Sequence, residues 1–230
     1  NWGYRTYNSR EELGREYERV VGAVLGPIAR GLAAAIYTQT TDVEGEVNGL
    51  MTYDREIVKF DEPRLRALHA KLYAPPRPAR TILAAGHDTP QPWRATTDKP
   101  AAGWERPGFD DSRWREMRAP LREKPDPLFP NGDEWTTDAV WLRRKFTVDR
   151  LPANLWLEVQ HTVTSGTVYL NGKKIDELDR FTRREYRHVD LSEHLDALKA
   201  GENVIAVHAE VGQDRRPDPK NFDLGLYTVV

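Results

Sequence analysis

Tyr37-Thr38-Gln39-Thr40-Thr41-Asp42-Val43-Glu44-Gly45-Glu46-Val47-Asn48-Gly49-Leu50-Met51-Thr52-Tyr53-Asp54-Arg55 is the stretch on which the reading of the chain turns. It follows the small apolar run Leu32-Ala33-Ala34-Ala35-Ile36, which reads as a buried strand, and it becomes polar at once. An apolar strand that opens into a dense polar loop and then a helix is the βα grammar of an α/β barrel, where chemistry sits on the C-terminal ends of the strands. The same residues also suit a plain solvated loop after a core strand.

Upstream of this stretch, residues 1–8 are aromatic and polar and read as a loop. Ser9 with Glu12 forms a capping box. Leu13, Tyr17, Val20, Val21, Val24, Leu25 and Ile28 then recur at helical spacing. Pro27 is expected to kink or end that helix, and Gly31 to stop it. Downstream, a second helix opens near Asp61 and Pro63, with Leu65, Leu68 and Leu72 on one face. The lone strand at 32–37 has no partner within this segment and needs a sheet made elsewhere.

Pro75-Pro76-Arg77-Pro78 is a stiff extended connector and the clearest boundary. Beyond it the period changes from helical to alternating. Thr81–Ala85 is a short candidate strand. Residues 86–137 show little periodicity, with Trp93, Trp104, Phe109, Trp114 and Trp135 as anchors and one capped helical turn at Asp110-Asp111-Ser112. Strands follow at 139–148, 155–159, 167–170, 186–191, 204–211 and 224–229. Asn171-Gly172 is a hairpin turn signal, and Ser192–Lys199 is a short helix. Many short strands with turn signals predict a β-sandwich of jelly-roll type.

Composition narrows the function classes. In 230 residues, 34 basic and 36 acidic side chains leave no electrostatic case for nucleic acid or an anionic membrane. No apolar run approaches the length that spans a bilayer. The chain starts at Asn1 with neither Met nor a leader-like segment and reads as a processed or excised piece. The absence of cysteine removes disulfides and thiolate metal sites and leaves the compartment open. Seven Trp and nine Tyr suit a sugar-handling protein or a large β core. His161 and His208 read as structural, since no His pair has useful ligand spacing. Asp110, Asp111, Asp133 and Asp138 suit caps and turns better than a calcium site. No metal or cofactor is expected.

Two stretches carry a family resemblance. Residues 37–44 with Asn48-Gly49-Leu50-Met51-Thr52-Tyr53-Asp54-Arg55 resemble the last barrel strand and loop of bacterial family 2 glycoside hydrolases, the β-galactosidase-like group. Trp93, Thr97-Asp98-Lys99-Pro100, Trp104, Phe109-Asp110-Asp111-Ser112-x-Trp114, Trp135-x-Thr137-Asp138-x-x-Trp141-Leu142-Arg143-Arg144, Val168-Tyr169-Leu170-Asn171-Gly172 and Gly201-x-Asn203-x-Ile205-Ala206-Val207-His208 resemble the galactose-binding-like jelly rolls of those enzymes. The second pattern is diagnostic of fold more than of activity.

The resemblance implies an α+β multidomain chain: the terminal βα elements of a (β/α)8 barrel in 1–74, a proline-rich linker in 75–79, and an all-β jelly-roll sandwich in 80–230. Residues 9–30 would be the seventh barrel helix, 32–38 the eighth strand and 61–73 the eighth helix. The family hydrolyses β-linked terminal sugars with retention, using two glutamates whose carboxyl groups stand about 5–5.5 Å apart. Both family positions lie upstream of Asn1, so no catalytic role is transferred to any residue here. The carboxylates of Asp42, Glu44 and Glu46 crowd one loop, but two barrel strands cannot enclose a sugar.

In the intact enzyme the resemblance implies that Gln39, Asp42 and Glu46 hydrogen-bond sugar hydroxyls and that Trp2 or Tyr4 stacks on a sugar face; capping or ion pairing within the loop is the competing role for Asp42. The implied partners are a carbohydrate substrate and the remainder of the glycosidase chain, with homo-oligomerisation open. Galactosides, glucuronides and mannosides are all admitted. Two other readings stand beside this one: a stand-alone carbohydrate-binding module, marked by exposed coplanar tryptophans, and a structural or assembly module, marked by buried ones.

Overall fold

Ser9 starts the first helix. Its Oγ accepts from the Glu12 amide at 3.1 Å, and the Glu12 carboxylate takes the Asn8 amide at 3.0 Å. The expected reciprocal cap therefore forms with its return bond displaced by one residue. In the computed structural model, which describes residues 5–127, 132–179, 182, 185–212 and 219–230, the chain divides into two units, Asn1–Pro78 and Ala79–Val230.

In the first unit, α1 (Arg10–Gly22) is followed by a short α2 (Leu25–Ala29). The break falls at Ala23, four residues before Pro27, whose carbonyl the proline can neither bond nor clear. Paired bonds from Gly31 N to Ile28 O (3.1 Å) and from Leu32 N to Pro27 O (3.0 Å) close the helix. Asp61 caps α3 (Glu62–Ala70) by accepting from the Arg64 amide at 2.9 Å, and a 3-10 turn, Lys71–Tyr73, ends it. The helices meet where Tyr17 Oη lies 2.8 Å from His69 Nε2 and where Glu18 receives the Arg64 guanidinium.

Residues 32–37 depart from the expected buried strand. They belong to no strand, and Ile36 is 89% exposed. Apolar character alone does not make a strand: its amides and carbonyls need a neighbouring ladder, and none exists among the described residues of this unit. The barrel part of the expected architecture is thus left without its strand.

The second unit contains β1 (Ala79–Leu83), β2 (Gln91–Thr96), β3 (Arg115–Ala119), β4 (Leu121–Arg122), β5 (Ala139–Val148), β6 (Trp156–His161), β7 (Ser165–Leu170), β8 (Lys173–Glu177), β9 (Arg187–Asp190), β10 (Gly201–Glu210) and β11 (Asn221–Val229). One antiparallel sheet runs β1-β11-β6-β9, with β4 also on β11; the other runs β3-β2-β5-β10-β7-β8. Leu157, Val159 and Leu224 of the first sheet and Leu142, Val168 and Val207 of the second share one buried cluster, so the unit is a β-sandwich. Trp93 and Trp135 are each 1% exposed and belong to this core.

Two braces explain much of the motif pattern. Asn171 (φ 52°) and Gly172 (φ 90°) turn the β7–β8 hairpin with both residues left-handed, the geometry that favours Asn-Gly. The Asn171 side chain bonds Ala197 O, Asn203 Oδ1 and Val204 N at 2.7–2.9 Å, and Asn203 in turn bonds Lys199 and Gly201 backbone groups. The second brace is Arg143. Although it lies on the outer face of β5, it is 1% exposed, because residues 104–111 fold over it. Asp110–Ser112 is accordingly a turn and not a helical turn: Asp110 Oδ1 caps the Ser112 amide at 3.0 Å, while Asp111 is drawn to the guanidinium. Likewise Ser192–Ala197 is a 3-10 segment.

Candidate functional site

The loop singled out in the sequence folds around Asp42. Its Oδ1 accepts from Lys59 Nζ at 2.5 Å and from the Gly49 amide at 2.9 Å, and Lys59 Nζ also reaches Val47 O at 2.9 Å. The Lys59 bond, against the effect of burial and with the Gly49 amide, holds the Asp42 carboxyl below the usual carboxylate range. Backbone bonds from Leu50 N to Thr40 O and from Lys59 N to Leu50 O, at 2.9 and 3.0 Å, tie the two arms together. Gln39 Nε2 donates to Asn48 Oδ1 and, at 3.3 Å, to Glu46 O; Tyr37 Oη donates to Asn48 O at 2.8 Å.

Gln39, Asp42 and Glu46 are therefore brought into one loop in different roles. Asp42 is 7% exposed and turned into the loop as its brace, whereas Glu46 is on the exposed side. Trp2 and Tyr4 lie outside the described residues.

A second concentration of polar groups lies in the sandwich, where sequence reading named no site. β6 and β11 are buried on both faces. Leu157, Val159, Leu224 and Leu226 fill the core side. Glu158 and Gln160 of β6 and Asp223 of β11 alternate onto the other face, and all three are at most 2% exposed. Gln160 pairs directly with Asp223, and Glu158 with Gly225. The turn after β1 crosses this face so closely that a Cβ on Gly225 would stand 2.7 Å from Ala85 N and 2.8 Å from Glu158 Oε1.

That turn is held by ionisable groups. Asp223 Oδ2 accepts from the Gly86 amide at 2.7 Å and from the Tyr186 hydroxyl. His87 Nε2 lies 3.6 Å from Glu158 Oε1, and its Nδ1 lies 3.1 Å from Asp88 Oδ1. The Glu158 contact, outweighing burial and aided by Asp88, pushes His87 up to about 9. Burial outweighs the bonds to Asp223 and pushes its carboxyl up to about 6. Burial beside Asp223 also raises the Tyr186 phenol. From the opposite side, Arg144 donates to Ala84 O and Gln91 Oε1, both at 2.7 Å. The arrangement can hold and orient hydrogen-bonding groups.

The two histidines noted in the sequence are not part of it. His161 is wholly buried at the end of β6, and His208 stacks on Trp141 at 4.6 Å on the outer face of the other sheet. Among the described residues no three His, Cys, Asp or Glu side chains converge as a metal site.

No protein-family model and no curated protein matches the chain. Solved structures do. A β-glucuronidase of Bacteroides uniformis aligns at 19% identity over 66% of this chain and 18% of its own, with a TM-score of 0.46. A β-glycosidase of Bacteroides vulgatus aligns at 19% identity over 64% of this chain and 20% of its own, TM-score 0.44. A Bifidobacterium dentium β-glucuronidase aligns at 17% identity over 66% of this chain and 30% of its own, TM-score 0.44. The chain thus spans less than a third of the length of each of these structures.

Proposed function

We propose that this chain is the C-terminal portion of a family 2-like glycoside hydrolase acting with retention on β-linked terminal sugars. In this reading the chain lacks both catalytic glutamates. It supplies a wall loop to the sugar pocket, through Gln39 and Glu46 positioned by Asp42, and an accessory β-sandwich. The substrate belongs to the galactoside, glucuronide or mannoside class. The observation that carries the reading is the contrast within the first unit. A loop fixed by an internal ion pair adjoins a segment that belongs to no ladder and on which Ile36 is 89% exposed and Tyr37 48% exposed. Such a segment suits a barrel strand whose neighbours belong to the rest of the enzyme.

The test combines denaturing intact-mass measurement with a panel of aryl β-galactoside, β-glucuronide and β-mannoside. The 26.4 kDa chain alone should be inactive on all of them, and a longer parent chain carrying it should cleave one. A parent inactive on the whole panel, or strong amide-exchange protection of residues 32–37 in the isolated chain, would overturn the reading. Of the two other readings, the stand-alone carbohydrate-binding module lacks its marker at Trp93 and Trp135, which are buried in the sandwich core as a structural module would have them.

A further inference from the structure

Asn-Gly occurs at Asn48-Gly49, Asn131-Gly132 and Asn171-Gly172. Asn131 lies outside the described residues, and the other two are held in opposite ways. In any Asn-Gly pair the glycine nitrogen can attack the asparagine side-chain carbon and close a five-membered imide, since glycine has no Cβ to hinder the approach. At Asn171 the amide nitrogen that would have to leave is clamped: Nδ2 donates to Ala197 O at 2.8 Å and to Asn203 Oδ1 at 2.7 Å. At Asn48 the same atom meets no acceptor among the described residues.

The groups around Asn48 match what ring closure needs. The Gly49 N–H donates to Asp42 Oδ1 at 2.9 Å, so the attacking nitrogen faces a proton acceptor. Asn48 Oδ1 accepts from Gln39 Nε2, a donor placed where negative charge develops when the side-chain carbonyl is attacked. The Tyr37 hydroxyl holds Asn48 O at 2.8 Å. Gly49 is required by the fold itself, since a Cβ there would stand 2.3 Å from Thr41 C. Residues 43–47 beside the pair are exposed, so water reaches the product. We propose that Asn48-Gly49 is a self-modification site, at which Asp42 takes the Gly49 proton and Gln39 steadies the amide oxygen while Asn48 cyclises. The Gly49 N to Asn48 Cγ bond forms as the proton passes to Asp42. The Cγ–Nδ2 bond then breaks, and Nδ2 leaves as ammonia with that proton. Water opens the imide at either carbonyl, giving aspartate or isoaspartate at position 48. Either product replaces the amide that Gln39 holds with a carboxylate, and isoaspartate also lengthens the main chain. The inference goes beyond the glycosidase reading, since it needs neither a barrel nor a substrate.

The test incubates the 230-residue chain at neutral pH, folded and in guanidinium, and follows succinimide, aspartate and isoaspartate at each Asn-Gly pair by peptide mapping and mass spectrometry. The unfolded chain supplies the rate intrinsic to the dipeptide. The expected result is that Asn48 reacts faster in the folded chain than in the unfolded one, whereas Asn171 reacts more slowly. Asp42→Asn keeps an oxygen facing the Gly49 amide but is a far weaker proton acceptor, and Gln39→Leu removes the donor on Oδ1. Each should slow the reaction at Asn48 about tenfold, because the specific assistance is lost while the background reaction remains. Lys59→Met loosens the loop but keeps the carboxylate, and should not reproduce that loss. Gln39→Leu keeps the test decisive if Asp42→Asn disturbs the loop. A slower reaction at Asn48 in the folded chain than in guanidinium overturns the proposal. So does acceleration in both Asp42→Asn and Lys59→Met, which would mean that the loop only protects the pair, or an unchanged rate in Gln39→Leu. Failure of the parent chain to hydrolyse aryl glycosides would bear on the glycosidase reading alone.

Discussion

Asp111 Oδ2 receives Arg143 Nε at 2.7 Å, in a pair whose arginine side chain is 1% exposed. The guanidinium also donates to the carbonyls of Trp104 and Arg106 and lies 5.4 Å from the Phe109 ring centroid. One cation thus organises the polar and aromatic residues between 104 and 111. Asp111→Ala should destabilise the sandwich by about 3 kcal/mol, because it leaves the buried cation without its counter-ion. Asp111→Ala with Arg143→Met should recover part of that loss. Urea unfolding of the three proteins measures both effects, and a single-mutant loss within about 0.5 kcal/mol would mean that the carbonyls alone hold the arginine.

Asn171 separates turn geometry from bracing. Asn171→Gly keeps a residue that tolerates φ 52° but removes the bonds to Ala197 O, Asn203 Oδ1 and Val204 N. A loss of about 2 kcal/mol is expected if the side chain braces β10 against the hairpin. Stability equal to the parent in a denaturant melt would assign Asn171 to the turn alone.

Alternation was sufficient for β5 through β7, where Val140, Leu142, Val168 and Leu170 mark one buried face. It missed β2 and β3 because their exposed positions carry Arg94, Glu116 and Arg118 amid proline and glycine. It misread 32–37 because strand formation is decided by a partner ladder, a non-local property. The candidate site in the sandwich was harder still. Glu158 and Gln160 occupy the positions of β6 that a half-solvated strand leaves to water, and nothing local reveals that both are buried, with the turn after β1 packed on Glu158. Asp223, set between Phe222 and Leu224, was the available signal: a charge inside an otherwise apolar strand.

In the first unit, Lys59→Met should loosen the loop without unfolding the sandwich. Lys59 Nζ supplies bonds to Asp42 Oδ1 and Val47 O, so amide exchange should rise at Gly49, whose N–H is bonded to Asp42. Because Asp42 is held below the usual carboxylate range, its contribution is present at neutral pH and is lost as pH falls through the depressed folded value. Exchange at Gly49, corrected for intrinsic rate, should therefore increase in acid in the parent and change little with pH in Asp42→Ala. A flat parent profile would remove Asp42 from its bracing role.

The turn over β6 and β11 should give the sandwich an unusual pH profile. His87 is raised from 6.5 to about 9, so the folded state binds more protons between those values, and its stabilisation, complete below 6.5, is lost as pH rises through 9. Asp223 is raised from 3.8 to about 6, so in that lower window the folded state again binds the extra proton and stability falls as pH rises. Both groups therefore lose stabilisation as pH rises, His87 from 6.5 to about 9 and Asp223 from 3.8 to about 6, opposite in direction to the Asp42 effect in the other unit. Glu158, helped by Asp88, raises His87 against burial, whereas burial raises Asp223 against the opposing effects of Tyr186, the Gly86 and Leu224 amides and His87. Allowing for the partial exposure of His87, its limb is on the order of 1–2 kcal/mol. His87→Gln should flatten stability between pH 6.5 and 9 and leave the lower limb, whereas Asp223→Asn should flatten the lower limb. Denaturant midpoints of the sandwich across pH would show this; a parent whose stability rises steadily from pH 4 to 9 would mean that neither group carries its raised affinity for protons into the folded state.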